Sequence, residues 1–190
     1  MKPLAQESDK HLVELAQAGN LDAFETLYHR HKERLYTVAV GILGNHSDAQ
    51  DIVQEAYLRS FSRLEKLRKE TSILAYLLRI VSNAAIDILR FRKTSHTVPL
   101  EGANQGIDEI PDAQRNPEVA MEEANRVSIL QEALLTLPAD QRVVVVMHHI
   151  EGLPVQDIAE QLKIPVGTVK SRLGRARETL RRKLQGKLEG

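Results

Sequence analysis

Between Thr94 and Glu118 the chain loses the helical pattern that it carries on either side. The stretch "TSHTVPLEGANQGIDEIPDAQRNPE" is punctuated by Pro99, Gly102, Gly106, Pro111 and Pro117, and its charged side chains are nearly all acidic. An interruption of about 25 residues is far longer than the usual connection inside one compact unit. It predicts two small helical domains, residues 1–95 and 119–190, joined by a flexible acidic linker over 96–118. The length of 190 residues fits two such units. Hydrophobic residues make up 42% of the chain, so a packed core is expected; with only 4% aromatics and no Trp, that core must be aliphatic.

Helical spacing recurs through the first half. Leu12, Leu15 and Ala16 form an apolar stripe that Gly19 and Asn20 end. Asp22 is placed to cap the next helix, whose apolar face runs through Phe24, Leu27, Tyr28, Leu35, Val38, Ala39 and Ile42. Ser47 with Gln50 three residues on has the pattern of a capping box. The helix behind it carries Ala49, Ile52, Val53, Ala56, Tyr57 and Phe61. After the polar connector "EKLRKETS", Thr71 or Ser72 can cap "ILAYLLRIVSNAAIDILRFRK", which turns basic at Arg90, Arg92 and Lys93.

In the second half one helix runs to about Leu137, and Pro138 suits the first turn of the next. The run "VVVV" at 143–146 has strand composition, but Val143, Val146, Met147 and Ile150 fall at helical spacing and no partner strand exists. We read it as helix. "LPVQDIAEQLKIPVGTVKSRLGRAR" then reads as helix-turn-helix. Ile158, Leu162, Ile164 and Val169 make its small core, Ala159 sits where the helices approach, and Pro165 opens the second helix. Lys163 stands at the turn, where a left-handed backbone costs a non-Gly residue about 1 kcal/mol. The fold class is therefore all-α.

The second helix of this motif has an apolar stripe at Val169, Leu173, Ala176, Leu180 and Leu184. Its other faces carry Lys170, Arg172, Arg175, Arg177, Arg181, Arg182 and Lys183 against the single acid Glu178. One face anchors the helix and the others are free for DNA. Thr168, Lys170, Ser171 and Arg172, near its start, are the candidates to reach base edges in a major groove. Arg175 and Arg177 are placed for phosphates. Gly174 costs about 1 kcal/mol in mid-helix and is compatible with close backbone approach.

The formal net charge is zero because bases here are offset by acids elsewhere, notably Glu101, Asp108, Glu109, Asp112, Glu118, Glu122 and Glu123. The chain has no Cys, which excludes disulfides and thiolate metal sites and fits a reducing compartment. No apolar run approaches the roughly 20 residues of a membrane span, and the first residues have no secretion signal. A cytoplasmic protein without membrane insertion is expected. His29 with His31, and His148 with His149, do not aim paired rings to one side, so no metal site is expected. No Gly-rich phosphate loop or nucleophile elbow is present, so neither cofactor nor enzyme activity is expected.

Taken in order, "DAFETLYHRH", "DAQDIVQEAYLRSF", "LAYLLRIVSNAAIDILR" and "LPADQRVVVVMHHIEGLPVQDIAEQLKIPVGTVKSRLGRAR" resemble the extracytoplasmic-function (group IV) sigma factors of bacterial RNA polymerase, in the sigma-70 family. The resemblance covers nearly the whole chain except the linker and the extreme termini. It implies that the first half is sigma domain two and the second is sigma domain four. It implies as partners core RNA polymerase, promoter DNA and an anti-sigma factor.

Residue by residue, the resemblance implies polymerase contacts from Asp48, Asp51, Gln54 and Glu55. By spacing alone Asp48, Asp51 and Glu55 read as a solvated acidic face. Asn83 would contact a base of the −10 element, with Arg79, Arg90, Arg92 and Lys93 on the backbone. The loop "EKLRKETS" would receive a flipped base, whose lost stacking the pocket replaces. Tyr76 stands where the family usually has Trp, and is read either as core or as a flat DNA-facing surface. Thr168, Lys170, Ser171, Arg172, Arg175 and Arg177 would engage the −35 element. The acidic linker would thread toward the polymerase active site and RNA exit path, or serve only as a tether. Because the polymerase supplies the main clamp, weak DNA binding by the isolated chain is expected. An autonomous helix-turn-helix transcriptional regulator is the alternative; its C-terminal motif would be the same.

Overall fold

The computed structural model describes residues 3–67, 72–94 and 117–188, with side chains described over 3–67, 72–92 and 126–185. Residues 68–71 and linker residues 96–116 lie outside them, as does the side chain of Lys93, whereas Pro117 and Glu118, expected in the linker, open the fifth helix. Among the described residues there are eight α-helices and no strand: α1 (Asp9–Gln17), α2 (Leu21–Leu43), α3 (His46–Phe61), α4 (Ile73–Thr94), α5 (Pro117–Leu135), α6 (Ala139–Val145), α7 (Val155–Leu162) and α8 (Val166–Leu188). The "VVVV" run is helical, as its spacing predicts; α6 passes into a π turn at Val146–Ile150.

Caps define the helix starts. Ser8 Oγ accepts from the His11 amide at the head of α1. Two expected caps are corrected. Asn20, not Asp22, caps α2, its Oδ1 accepting from the Ala23 amide at 3.0 Å. Asn45, not Ser47, caps α3, accepting from the Asp48 amide at 2.9 Å. In both cases Asn lies two residues upstream of the expected cap and reaches the third amide along, as a cap requires. Asp22 and Asp48 lie in the first turns, where a carboxylate suits the helix dipole. Ser72 Oγ lies 3.4 Å from the Ala75 amide at the head of α4.

Helices α1–α4 pack around Leu12, Leu27, Leu35, Val38, Ile42, Leu64, Leu78 and Val81, all 2% exposed or less. Phe24 stacks on Tyr57 at 4.4 Å between ring centroids, and Tyr28 lies 4.3 Å from the same ring. Burial, then Glu25, then Tyr28, push the Tyr57 phenol above its ordinary pKa. Phe61 touches Phe24, but it is 44% exposed rather than in the core expected of it. It sits at the last position of α3, where the helix runs past its partners. Arg30 and His31 of α2 both bind Asp9, and Arg30 also donates to the carbonyls of Ala5 and Glu7, tying the first residues down.

The second half packs Val143, Val144, Val146 and Met147 against Ile158, Val169 and Ala176. Its buried residues form one continuous apolar cluster with those of α1–α4. The C-terminal part of α2 makes the junction. A Cβ at Gly41 would stand 3.2 Å from Val146 Cγ2. At Gly44, which ends α2 at φ +69°, a Cβ would run into the Leu135 side chain. Glycine is thus required there twice, by conformation and by proximity.

Polar groups close the junction. Buried Arg142 donates to the carbonyls of Leu134 (3.0 Å), Leu135 (2.9 Å) and Leu137 (3.0 Å) at the end of α5, and to Ile42 O (2.7 Å) at the end of α2. These are among the acceptors that helix C-termini leave without partners. Arg34 of α2 pairs with buried Glu151 and donates to its carbonyl at 3.1 Å.

Candidate nucleic-acid interface

The helix-turn-helix follows from a few residues. Pro154 precedes α7, whose apolar side chains Ile158 and Ala159 are buried. Lys163 ends α7 at φ 54°, ψ 45°, the one non-Gly residue with positive φ among the described residues. That turn returns the Ile164 amide to Ala159 O at 3.0 Å. Pro165 O then accepts from the amides of Thr168 and Val169, starting α8. Leu162 and Ile164 are half-buried, whereas Val169, Leu173 and Ala176 anchor α8 in the core.

This anchoring decides what α8 presents. Ser171, opposite the buried stripe, is exposed, as are Lys170, Arg175 and Arg177. Thr168 is half-buried, and its carbonyl accepts from Ser171 Oγ at 2.9 Å. Nothing stands within 4 Å of a Cβ placed on Gly167 or Gly174, so internal packing requires neither glycine. Arg172 differs from its neighbours: it is 25% exposed, and its Nε lies 3.1 Å from Asp140 Oδ2 of α6 as an ion pair. Near Arg177, His149 has its pKa lowered from 6.5 by burial, then by His148, then by Arg177.

A second cationic surface lies on α4. Tyr76, Arg79, Asn83 and Asp87 recur at helical spacing along one wall of a cavity of 930 Å³. That volume is within the range of clefts that enclose small ligands. The Arg79 guanidinium carbon lies 5.4 Å from the centre of the Tyr76 ring. Tyr76 is half-buried: it packs on the core and also lines the cavity. Asn83 is exposed on the same wall.

The opposite wall includes Lys66 and Leu67 of the connector "EKLRKETS"; Arg59, Ser62 and Arg63, from the end of α3 and the turn after it, and Lys163, from the helix-turn-helix, join it unanticipated. The bases of "LRSFSRLEK" were legible as a signal; the approach of Lys163 was not. With five cations against Asp87, the cavity suits an anionic, flat ligand.

Arg90 and Arg92 are not part of this cavity's lining. Arg90 pairs with Asp87 at 3.5 Å, and Arg92 reaches Asp48 of α3 at 2.6 Å. Asp48 is thereby engaged within the chain, whereas Asp51, Gln54 and Glu55 are exposed; Glu55 pairs with Arg59 one turn on at 2.6 Å. Ala49, Ile52, Val53 and Ala56 are buried, so the expected division of α3 into an apolar and a polar face holds. The polar face continues into Leu58 (62% exposed) and Phe61. Among the described residues no group of His, Cys, Asp or Glu is arranged to hold a metal, and no helix is long and apolar enough to cross a membrane.

The geometry therefore defines an all-helical protein with a helix-turn-helix and a second cationic cleft. Residues 27–95 match the model of Sigma-70 region 2 and residues 128–180 that of Sigma-70, region 4. The chain is 32% identical to the ECF RNA polymerase sigma factor SigW of Bacillus subtilis, over 93% of this chain and 96% of that one. It is 36% identical to the ECF sigma factor SigM of Mycobacterium tuberculosis, over 94% and 86%. A solved structure of CnrH in complex with the cytosolic domain of CnrY superimposes with a TM-score of 0.68 at 26% identity, covering 95% of this chain and 99% of that one. The chain belongs to the ECF sigma factors of RNA polymerase. Sigma factors are DNA-binding initiation factors rather than enzymes.

Proposed function

We propose that the chain docks on core RNA polymerase through the outer face of α3, reads the −10 element with the α4 cleft, and reads the −35 element with α8. Asp51, Gln54 and Glu55, with Leu58 and Phe61 beside them, form the docking face; Asp48 contributes at its margin through its pair with Arg92. Tyr76, Arg79 and Asn83 meet an unstacked base, and Arg90, Arg92 and Lys93 follow the backbone beyond. Thr168, Lys170, Ser171 and Arg172 face base edges, with Arg175 and Arg177 on phosphates. Residues 1–95 and 119–190 act as separate functional units, with 96–118 as the linker.

The observation that carries this reading is the cleft, which gathers Tyr76, Arg79 and Asn83 with the bases of α3 on a helix distinct from the helix-turn-helix. An autonomous helix-turn-helix regulator has no use for it. The chain works in the cytoplasm, where its polymerase is. An anti-sigma factor holds it inactive; the relative CnrH is itself seen in complex with CnrY.

The test is transcription in vitro with purified core polymerase and a promoter library. The chain should direct initiation from a defined subset of promoters, and core alone should not. Asp51→Ala with Gln54→Ala should lower core binding, while Lys170→Ala should weaken use of the −35 element and leave core binding intact. Failure to stimulate core at any promoter, together with tight operator binding by the chain alone, would sink the reading.

A further inference from the structure

Four cations stand on the first three turns of α8: Lys170, Arg172, Arg175 and Arg177. Among the described residues only Arg172 is held by an ion pair. Its Nε lies 3.1 Å from Asp140 Oδ2 as an ion pair. We propose that Asp140 is a positioning residue for promoter recognition, fixing Arg172 so that its two terminal amino groups read a guanine at the edge of the −35 element. The proposal rests on the assignment of α8 to that element.

The argument starts from where Arg172 leaves the helix. The core stripe runs through Val169, Leu173 and Ala176, and Ser171 points away from it. Arg172 stands between the two, on the flank that packs toward α6, and it is only 25% exposed. A free Arg there has many rotamers, few of which reach a base, and binding would have to select among them. Asp140 lies in the first turn of α6, a rigid element whose next residues, Arg142 to Val145, are buried. The ion pair holds the Nε side of the guanidinium toward α6 and so restricts its rotamers. The Nη1 and Nη2 edge then has no other partner among the described residues. Those two donors match guanine O6 and N7, the commonest specific contact in a major groove. Arg175 and Arg177 have no such support and suit phosphates, which demand charge rather than orientation.

Asp140 has little structural role to confuse the test. It is 51% exposed, and exposed ion pairs contribute little to stability. The experiment uses holoenzyme assembled from core polymerase and the full chain, transcribing a library randomised across the −35 element. Wild type should prefer guanine at one position by on the order of tenfold. Arg172→Ala should abolish that preference. Asp140→Ala should reduce it severalfold at the same position alone, leaving other positions, core binding and melting temperature unchanged. Asp140→Glu should restore it in part. In the Arg172→Ala background, Asp140→Ala should add nothing.

The proposal is overturned if Asp140→Ala leaves the guanine preference intact, alters all positions alike, or raises promoter use, the last meaning that Asp140 competes with DNA for Arg172. If instead wild-type holoenzyme shows no −35 preference at all, the assignment of α8 has failed, a distinguishable result.

Discussion

Replacing Arg142 tests the junction between the two halves. Its guanidinium donates to four carbonyls, and the bonds to Leu134, Leu137 and Ile42 are buried. Arg142→Ala strands the interior Leu137 and Ile42 carbonyls, at about 1–2 kcal/mol each, whereas Leu134 O keeps its bond from the Leu137 amide at 3.0 Å. Loss of the aliphatic stem adds to this. Relief of a desolvated cation, whose pKa burial pushes below its ordinary value, offsets it. The net loss should be about 3 kcal/mol, near the lower end for breaking a buried charged network. Urea unfolding followed by circular dichroism reads it directly: with a slope of about 2 kcal/mol/M the midpoint should fall by about 1.5 M. Arg142→Met, which keeps the stem and removes the donors, should lose nearly as much. Arg142→Lys should lose about half, since one ammonium cannot span four acceptors. If Ala and Met variants both stay within about 0.5 kcal/mol of wild type, the hydrogen bonds do not hold the junction and the reasoning fails.

Gly44→Ala should cost about 1–2 kcal/mol from the left-handed backbone alone, plus its collision with Leu135. Leu135→Ala should absorb only the collision, so a double-mutant cycle showing no coupling would refute the contact between α2 and α5. Gly174→Ala, whose Cβ meets nothing, should raise stability by about 1 kcal/mol and weaken −35 use in transcription if that face lies close to DNA. For His149 the folded pKa is lowered from 6.5, so the unfolded chain takes up the proton first. Stability therefore falls as pH drops through 6.5 and flattens once the folded ring is protonated too. His149→Asn should remove that part of the acid-side decline in thermal melts, and an unchanged profile would show that another group carries it.

Local pattern made the helices legible. The apolar stripes of α2, α3 and α8 sit where spacing put them, and the Lys163 backbone is left-handed as the turn demands. The caps were missed because Asn20 and Asn45 compete with nearby Asp and Ser, and composition alone does not rank them. Within the candidate site, Tyr76, Arg79 and Asn83 were legible on α4 and the connector holding Lys66 beside them, but Arg59, Arg63 and Lys163 across the cleft were not. Lys163 is eighty residues from Asn83 in sequence, and no periodicity links residues on different helices. The same holds for Asp48 with Arg92, and for Asp140 with Arg172. Asp48, Arg92 and Arg172 were each read singly and Asp140 had no assigned role; the fold pairs them.

The junction also has a calendar. Ile42 is made 100 residues before Arg142, and Arg34 is made 117 residues before Glu151. At a synthesis rate of about 5–20 residues per second, the tail of α2 waits roughly 5–20 s for its cover. Through that interval Val40, Ile42 and Leu43 lack part of the surface they finally pack against, on a nascent chain whose earlier helices have already left the ribosome. Slower translation lengthens the wait, so the yield of native protein should depend on how quickly the last third of the message is read.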